Sequence, residues 1–196
     1  MFHIRDYRPE DETQWLKCRA LSFLDTAYYD DVSRNKPVYE NPSIELVAIL
    51  EGQLVGLLDI EYETSAGTVC SHGEGLAGMI WELAVHPDHR RRGIASSLLA
   101  QASPRLKQAQ IVRLQAWTRD DECARGWYRK HGFAMLDSYL HVYVRKGEGG
   151  IISTIPGLTP INSFAHYTGS DTETIRKKYS RVHECCLYEL GFANKQ

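Results

Sequence analysis

The sequence predicts an α/β chain, a mixed sheet of six or seven strands with helices on both faces. Three observations carry that prediction. Met79 to Val85 is a near-continuous apolar run broken only by Glu82, the pattern of a strand buried on both sides. From Ile94 the apolar residues recur at Leu98, Leu99, Ala102 and Leu106, which marks one face of a helix whose first turn is read as Gly93, Ile94 and Ala95. Between them, His86-Pro87-Asp88 stops the strand, and Arg90-Arg91-Arg92 stands just before the helix. A helix start has free backbone N–H groups and a partial positive charge, so it holds phosphate where the backbone can be approached closely. Gly93 and Ala95 allow that approach.

The remaining elements follow in order. Phe2 to Arg8 alternates as a first strand, and Pro9 follows where a helix can begin. Trp15, Leu16, Ala20, Phe23 and Leu24 suit one face of a helix from Asp11 to Leu24. Asp25 to Asp31, crowded with carboxylates and phenols, is a short helix or a loop. Ile44 to Leu50 and Leu54 to Glu63 form a hairpin through Glu51-Gly52-Gln53. In its second strand Leu58, Ile60 and Tyr62 alternate with Asp59, Glu61 and Glu63, and such an acidic row is usually a solvent face. Thr64 to Gly78 is a loop rich in glycine and serine. Pro104 should kink or end the central helix. Ile111 to Trp117 is a strand, Thr118 to Asp121 an N-cap region, and Glu122 to His131 a helix closed by Gly132. Phe133 to Arg145 is one strand or two. Residues 146–181 are expected to form a long excursion, a loop over 151–169 and then a short polar helix over 171–181. Val182 to Leu190 would follow as a final strand at the sheet edge beside Tyr139 to Val144.

Composition bounds the function. With 196 residues the chain is read as one domain. Hydrophobic residues at 43% and charged residues at 24% argue against disorder. A net charge of -2 recommends neither nucleic acid nor a membrane surface as partner. No apolar segment approaches the ~20 residues of a membrane helix and the N-terminus lacks a signal-peptide core, so a cytoplasmic protein is expected. The cysteines, Cys18, Cys70, Cys123, Cys185 and Cys186, are odd in number without a Cys-x-x-Cys pair, which fits reduced thiols. The scattered histidines have no ligand cluster beside them, and no metal site is expected.

Arg90-x-x-Gly93-x-Ala95, preceded by Leu83-Ala84-Val85-x-Pro87, resembles the acetyl-CoA signature of the GNAT superfamily of N-acetyltransferases. Downstream, Ala124-x-x-x-Tyr128-x-x-x-Gly132-Phe133 resembles that superfamily's second block. The resemblance implies a mostly antiparallel sheet with acetyl-CoA as co-substrate in the cleft where the fourth and fifth strands diverge. The binding residues would be Arg90, Arg91, Arg92, Gly93, Ile94, Ala95 and Ser96 with the backbone of Leu83, Ala84 and Val85. Asp121 stands where many members carry an asparagine. The implied chemistry is direct acetyl transfer to an amine, with a backbone N–H near Leu83 facing the thioester oxygen and Tyr128 protonating the departing thiolate.

The attacking amine must be neutral, so a carboxylate or a water chain should take its proton. Glu82 is the obvious candidate base; its register puts it on the opposite face from Leu83 and Val85. Asp59, Glu61, Glu63 and Asp25 follow, with relay through water behind them. The segment after the first helix, with Asp25, Tyr28, Tyr29, Asp30 and Asp31, lies where the resemblance puts one wall of the acceptor cleft. Carboxylates and tyrosine faces there would attract an ammonium group. This favours a small primary amine over a protein N-terminus. The rivals are a protein N-terminal or lysine acetyltransferase, an acetyl-CoA-binding regulatory module without turnover, and a nucleic-acid binder acting through Arg90 to Arg92. A monomer and a homodimer both remain open.

Overall fold

A computed structural model describes residues 1–149 and 153–192. The strands are β1 (His3–Asp6), β2 (Ser43–Leu50), β3 (Gln53–Tyr62), β4 (Ala77–Val85), β5 (Arg113–Thr118), β6 (Ala134–Arg145), β7 (Asn162–Tyr167) and β8 (Arg181–Gly191). The helices are α1 (Glu12–Phe23), α2 (Ile94–Gln108), α3 (Glu122–Lys130) and α4 (Thr172–Lys178). One sheet runs β1-β2-β3-β4-β5-β8-β6-β7. Every neighbouring pair is antiparallel except β4 and β5.

Eight strands among the described residues exceed the expected six or seven, and the extra one is β7, inside the stretch read as loop. It lies at the edge against β6, mostly exposed, so it lacks the buried alternation by which a strand is read. The final strand does not close the edge either: β8 enters between β5 and β6. Its apolar run from Cys185 to Tyr188 is buried, as suits an interior strand.

The two faces carry separate cores. On one, α2 sets Ile94, Leu98, Ala102 and Leu106 against Leu46, Ala48, Leu58 and Ile60, and Tyr128 of α3 joins them. Gly56 permits this contact, because a Cβ there would sit 2.5 Å from Ile94 Cγ2. Gly93 caps α2 rather than opening its first turn. The helix also passes through Pro104 to Gln108, held by Ala102 and Leu106 on the core.

On the other face α1 packs Trp15 and Cys18 against Val47, Leu57 and Ala84. Its buried side is Trp15, Cys18, Arg19 and Ser22, whereas Leu24, expected on the apolar face, is 62% exposed. The acidic row of β3 is not a solvent face: Asp59, Glu61 and Glu63 are all buried. Cations must therefore be buried with the row, and Lys36 pairs with Asp59 at 2.7 Å. Glu63 instead accepts backbone N–H groups of Gly67, Val69, Cys70 and Ala77, which order the loop before β4.

Candidate active site

The site begins with a β-bulge. Asp59 pairs with Glu82 and Ile60 with Ile80, which leaves Trp81 as the extra residue of β4. Pairing of β4 with β5 stops at Ile80 and Ala116. Beyond that point the strands part, and the N–H groups β4 would have given to β5 have no strand partner. A cleft of about 570 Å³ opens there. Phe23, Asp25 and Tyr28 wall it on one side, Ile80 to Val85 along β4, and Arg90, Ala95, Asp121 and Tyr128 on the other.

The anion-binding end is built from backbone. Arg91 (φ 60°) and Gly93 (φ 78°) both take left-handed conformations that turn the chain into α2. The first helical bond runs from Ser97 N to Gly93 O, so the first-turn N–H groups are left without helical partners. A Cβ at Gly93 would meet nothing within 4 Å, so the space beside the residue that caps the helix is open. This cradle fits a pyrophosphate.

The side chains there are mostly committed elsewhere. Arg90 is held by Asp25 and by Ser22 O. Arg92 donates to Asp88 O, and Arg91 is exposed. Ile94 is a core residue, and Ser96 Oγ is bonded to His131 Nε2. Asp121 caps α3 by accepting from Ala124 N at 3.0 Å. Arg91, Arg92, Gly93, Ile94 and Ser96 thus lie outside the cleft wall, whereas Leu83, Ala84, Val85, Arg90, Ala95 and Asp121 line it.

Tyr128 and Glu82 both face the cleft. The Tyr128 ring stacks on Tyr188 and meets Phe133 edge-on, centroids 5.6 and 5.1 Å away. No hydrogen bond occupies its hydroxyl among the described residues. Burial holds its pKa above the usual phenol value, so it keeps its proton at neutral pH. Glu82 is 7% exposed and accepts from Arg19 Nε at 2.8 Å. Burial pushes its pKa up to about 7; Arg19 opposes that shift, and Asp59 and Asp31 add to it. Glu82 shares its face with Ala84, the α1 side, as its register implied.

The acceptor wall differs from expectation. Asp25, Asp30 and Asp31 are paired with Arg90, Arg181 and Arg19 respectively, so their charge is largely offset. Tyr28 Oη accepts from Arg119 N at 2.7 Å, which ties the loop after α1 to the end of β5. Tyr29 is outside the cleft wall, with the Arg181 guanidinium 4.4 Å from its ring centre. Sequence reasoning missed Arg19 and Lys36, because buried charges break the apolar patterns by which a core is read. The one cue was Arg19 four residues after Trp15, on the buried side of α1.

Comparison with known proteins agrees with this geometry. Residues 41–135 match the acetyltransferase (GNAT) domain. The chain is 28% identical over 142 residues to Acetyltransferase SG1711 of Sodalis glossinidius, covering 70% of this chain and 90% of that one. The fold resembles the PaiA N-acetyltransferase of Thermoplasma acidophilum, solved with coenzyme A, with a TM-score of 0.55 and 15% identity over 70% of this chain and 92% of that one. It also resembles the ribosomal-protein-S18-alanine N-acetyltransferase of Escherichia coli, with a TM-score of 0.58 and 11% identity over 100% and 98% of the two chains. The matched domain and the named acetyltransferase relatives make this an acyltransferase of the acetyl-CoA type. Over residues 41–135 the chain carries an acetyltransferase domain of the GNAT type, and the relatives it resembles are named acetyltransferases.

Proposed function

We propose that this protein moves acetyl from acetyl-CoA directly to the primary amine of a small molecule. The observation that carries this reading is the cleft itself, which brings Glu82 and the free Tyr128 hydroxyl to one space beside unpaired β4 backbone donors. Acetyl-CoA supplies the activated thioester. The first-turn N–H groups of α2 hold its pyrophosphate, and the unpaired N–H groups of β4 polarise the thioester oxygen. Glu82 takes the proton of the incoming ammonium group, and Tyr128 gives a proton to the departing sulfur.

Support for a small acceptor comes from size. A volume of about 570 Å³ is of single-ligand scale, and the pantetheine arm must share it. Phe23, Tyr28, Trp81 and Trp117 offer rings against which a compact amine can lie. Attraction by free carboxylates no longer contributes, since those of the acceptor wall are paired.

Calorimetry with CoA and a thiol-release panel of amino acids, polyamines, aminoglycosides and peptides tests the reading. Gly93→Asp, which adds bulk and negative charge over the cradle, should weaken CoA binding at least tenfold. Unchanged binding would place the cofactor elsewhere, and turnover confined to peptides would replace the small-molecule acceptor with a protein one.

A further inference from the structure

Behind Glu82 lies a second buried carboxyl that the transfer reaction does not use. Asp59 and Glu82 are directly paired residues on neighbouring strands, at the bulge, so their side chains stand side by side on the α1 face. Asp59 is fully buried. Its Oδ2 accepts from Lys36 Nζ at 2.7 Å and Tyr39 Oη at 3.0 Å, but its Oδ1 is buried without a partner among the described residues. Glu82 beside it is held by Arg19 through Oε1 and lines the cleft, where its other oxygen accepts no hydrogen bond among the described residues. A buried oxygen without a donor costs roughly 1–3 kcal/mol, so such atoms call for an explanation.

We propose that Asp59 and Glu82 form a carboxyl pair that shares one proton, with Glu82 exchanging it in the cleft and Asp59 positioned behind to receive its hydrogen bond. The proposal rests on Glu82 being the base. A single O–H on Glu82 aimed at Asp59 would satisfy the orphaned Oδ1. Charge points the same way. The groups facing the pair are Arg19 and Asp31 from α1 and the loop after it, Lys36 and Tyr39 from the segment before β2, and Glu45 and Glu61 from β2 and β3. Arg19 and Lys36 thus serve four carboxylates, Asp31, Glu45, Asp59 and Glu82. One proton on the pair reduces that excess.

In the step itself an N–H bond of the acceptor ammonium breaks and an O–H bond forms on Glu82, leaving the amine lone pair free to attack. The new acid then donates to Asp59. The proton has its own way out. Glu82 and Tyr39 both line a second hollow of about 400 Å³, bounded by residues 37–41 and by Glu61, so it can reach solvent while acceptor fills the cleft.

The test is the pH profile of kcat/KM. Wild type should rise through an acid limb near neutrality, Glu82→Gln should lose the limb, and Asp59→Asn should move it to lower pH by about one unit or more. An unmoved limb in Asp59→Asn, with Glu82→Gln still losing it, overturns the shared pair and leaves the base. A limb that survives Glu82→Gln overturns the base itself. If Asp59→Asn does not fold, infrared titration of the wild type decides. Labelling aspartate with ¹³C should shift part of the protonated-carboxyl band seen near neutral pH, and a band moved by glutamate labelling alone refutes sharing.

Discussion

Arg90 reaches across the mouth of the cleft to Asp25, with Nη1 2.7 Å from Oδ2 and Nη2 2.9 Å from Oδ1. The same guanidinium donates to Ser22 O at 2.8 Å. It therefore links the approach to α2 with the end of α1, and its charge is offset by a carboxylate at the place where phosphate should bind.

Asp25→Asn should release that charge. Expected is a severalfold tighter CoA Kd with a steeper loss of affinity in salt, because an unpaired arginine then faces the pyrophosphate. Stability should barely change: the partners are 37% and 59% exposed, and pairs of that kind contribute less than about 1 kcal/mol. Calorimetry at two salt concentrations checks both points. Weaker binding in Asp25→Asn would mean that the carboxylate holds Arg90 in its working position.

A second expectation concerns Tyr128, whose ring is fixed by Tyr188 and Phe133 while its hydroxyl is unclaimed. Tyr128→Phe deletes only that hydroxyl. Turnover should fall by about 10²–10⁴ for every acceptor, the usual span for a positioned acid, while CoA affinity and Tm stay as they were. A regulatory module without catalysis predicts no such split. Unchanged kcat would reduce Tyr128 to a packing residue.

What the sequence made legible follows from where each signal resides. The β4-turn-α2 unit was readable because its two apolar periods differ and an open glycine stands between them. Asp121 was readable as a cap of α3, and Glu51-Gly52 as a turn, since both take the positive φ that a tight hairpin needs. The edge strand β7 was not, because an exposed strand loses its alternation. Nor was the insertion of β8 between β5 and β6, since strand order is a tertiary property that local pattern does not carry. The site was read in part: Glu82 and Tyr128 are in the cleft, but the arginines that neutralise Asp25 and Asp30 lie far away in sequence, and Arg19, which pairs with Asp31, stands on the buried side of α1 where an apolar residue is expected.

Pro104 supplies a stability prediction. It sits exposed in α2, where its missing N–H leaves Ala100 O without a helical donor. Pro104→Ala restores that bond, and although the freer unfolded chain offsets part of the gain, about 1–2 kcal/mol of stabilisation is expected. For a chain of this length that corresponds to a rise in Tm of several degrees. Calorimetric melting at matched pH is the measurement. A lower Tm would show that the ring's own packing outweighs the lost bond.

The last prediction tests whether the C-terminal segment belongs to the core or decorates it. Truncation after Lys146 removes β8, which pairs with β5 from Arg113 to Thr118 and with β6 from Ala134 to Tyr143. Both neighbours would then present unpaired interior edges, and Tyr128 would lose the ring of Tyr188 on which it stacks. Cys186, Leu187 and Tyr188 are essentially fully buried, and burying a large apolar side chain contributes roughly 1.5–3 kcal/mol. A handful of such losses matches the whole stability of a typical domain, about 5–15 kcal/mol. The truncated chain should therefore aggregate or melt without a cooperative transition, and it should not bind CoA. A soluble product with a sharp thermal transition in circular dichroism would show instead that β1 to β6 fold alone and that β8 is an addition to a finished sheet.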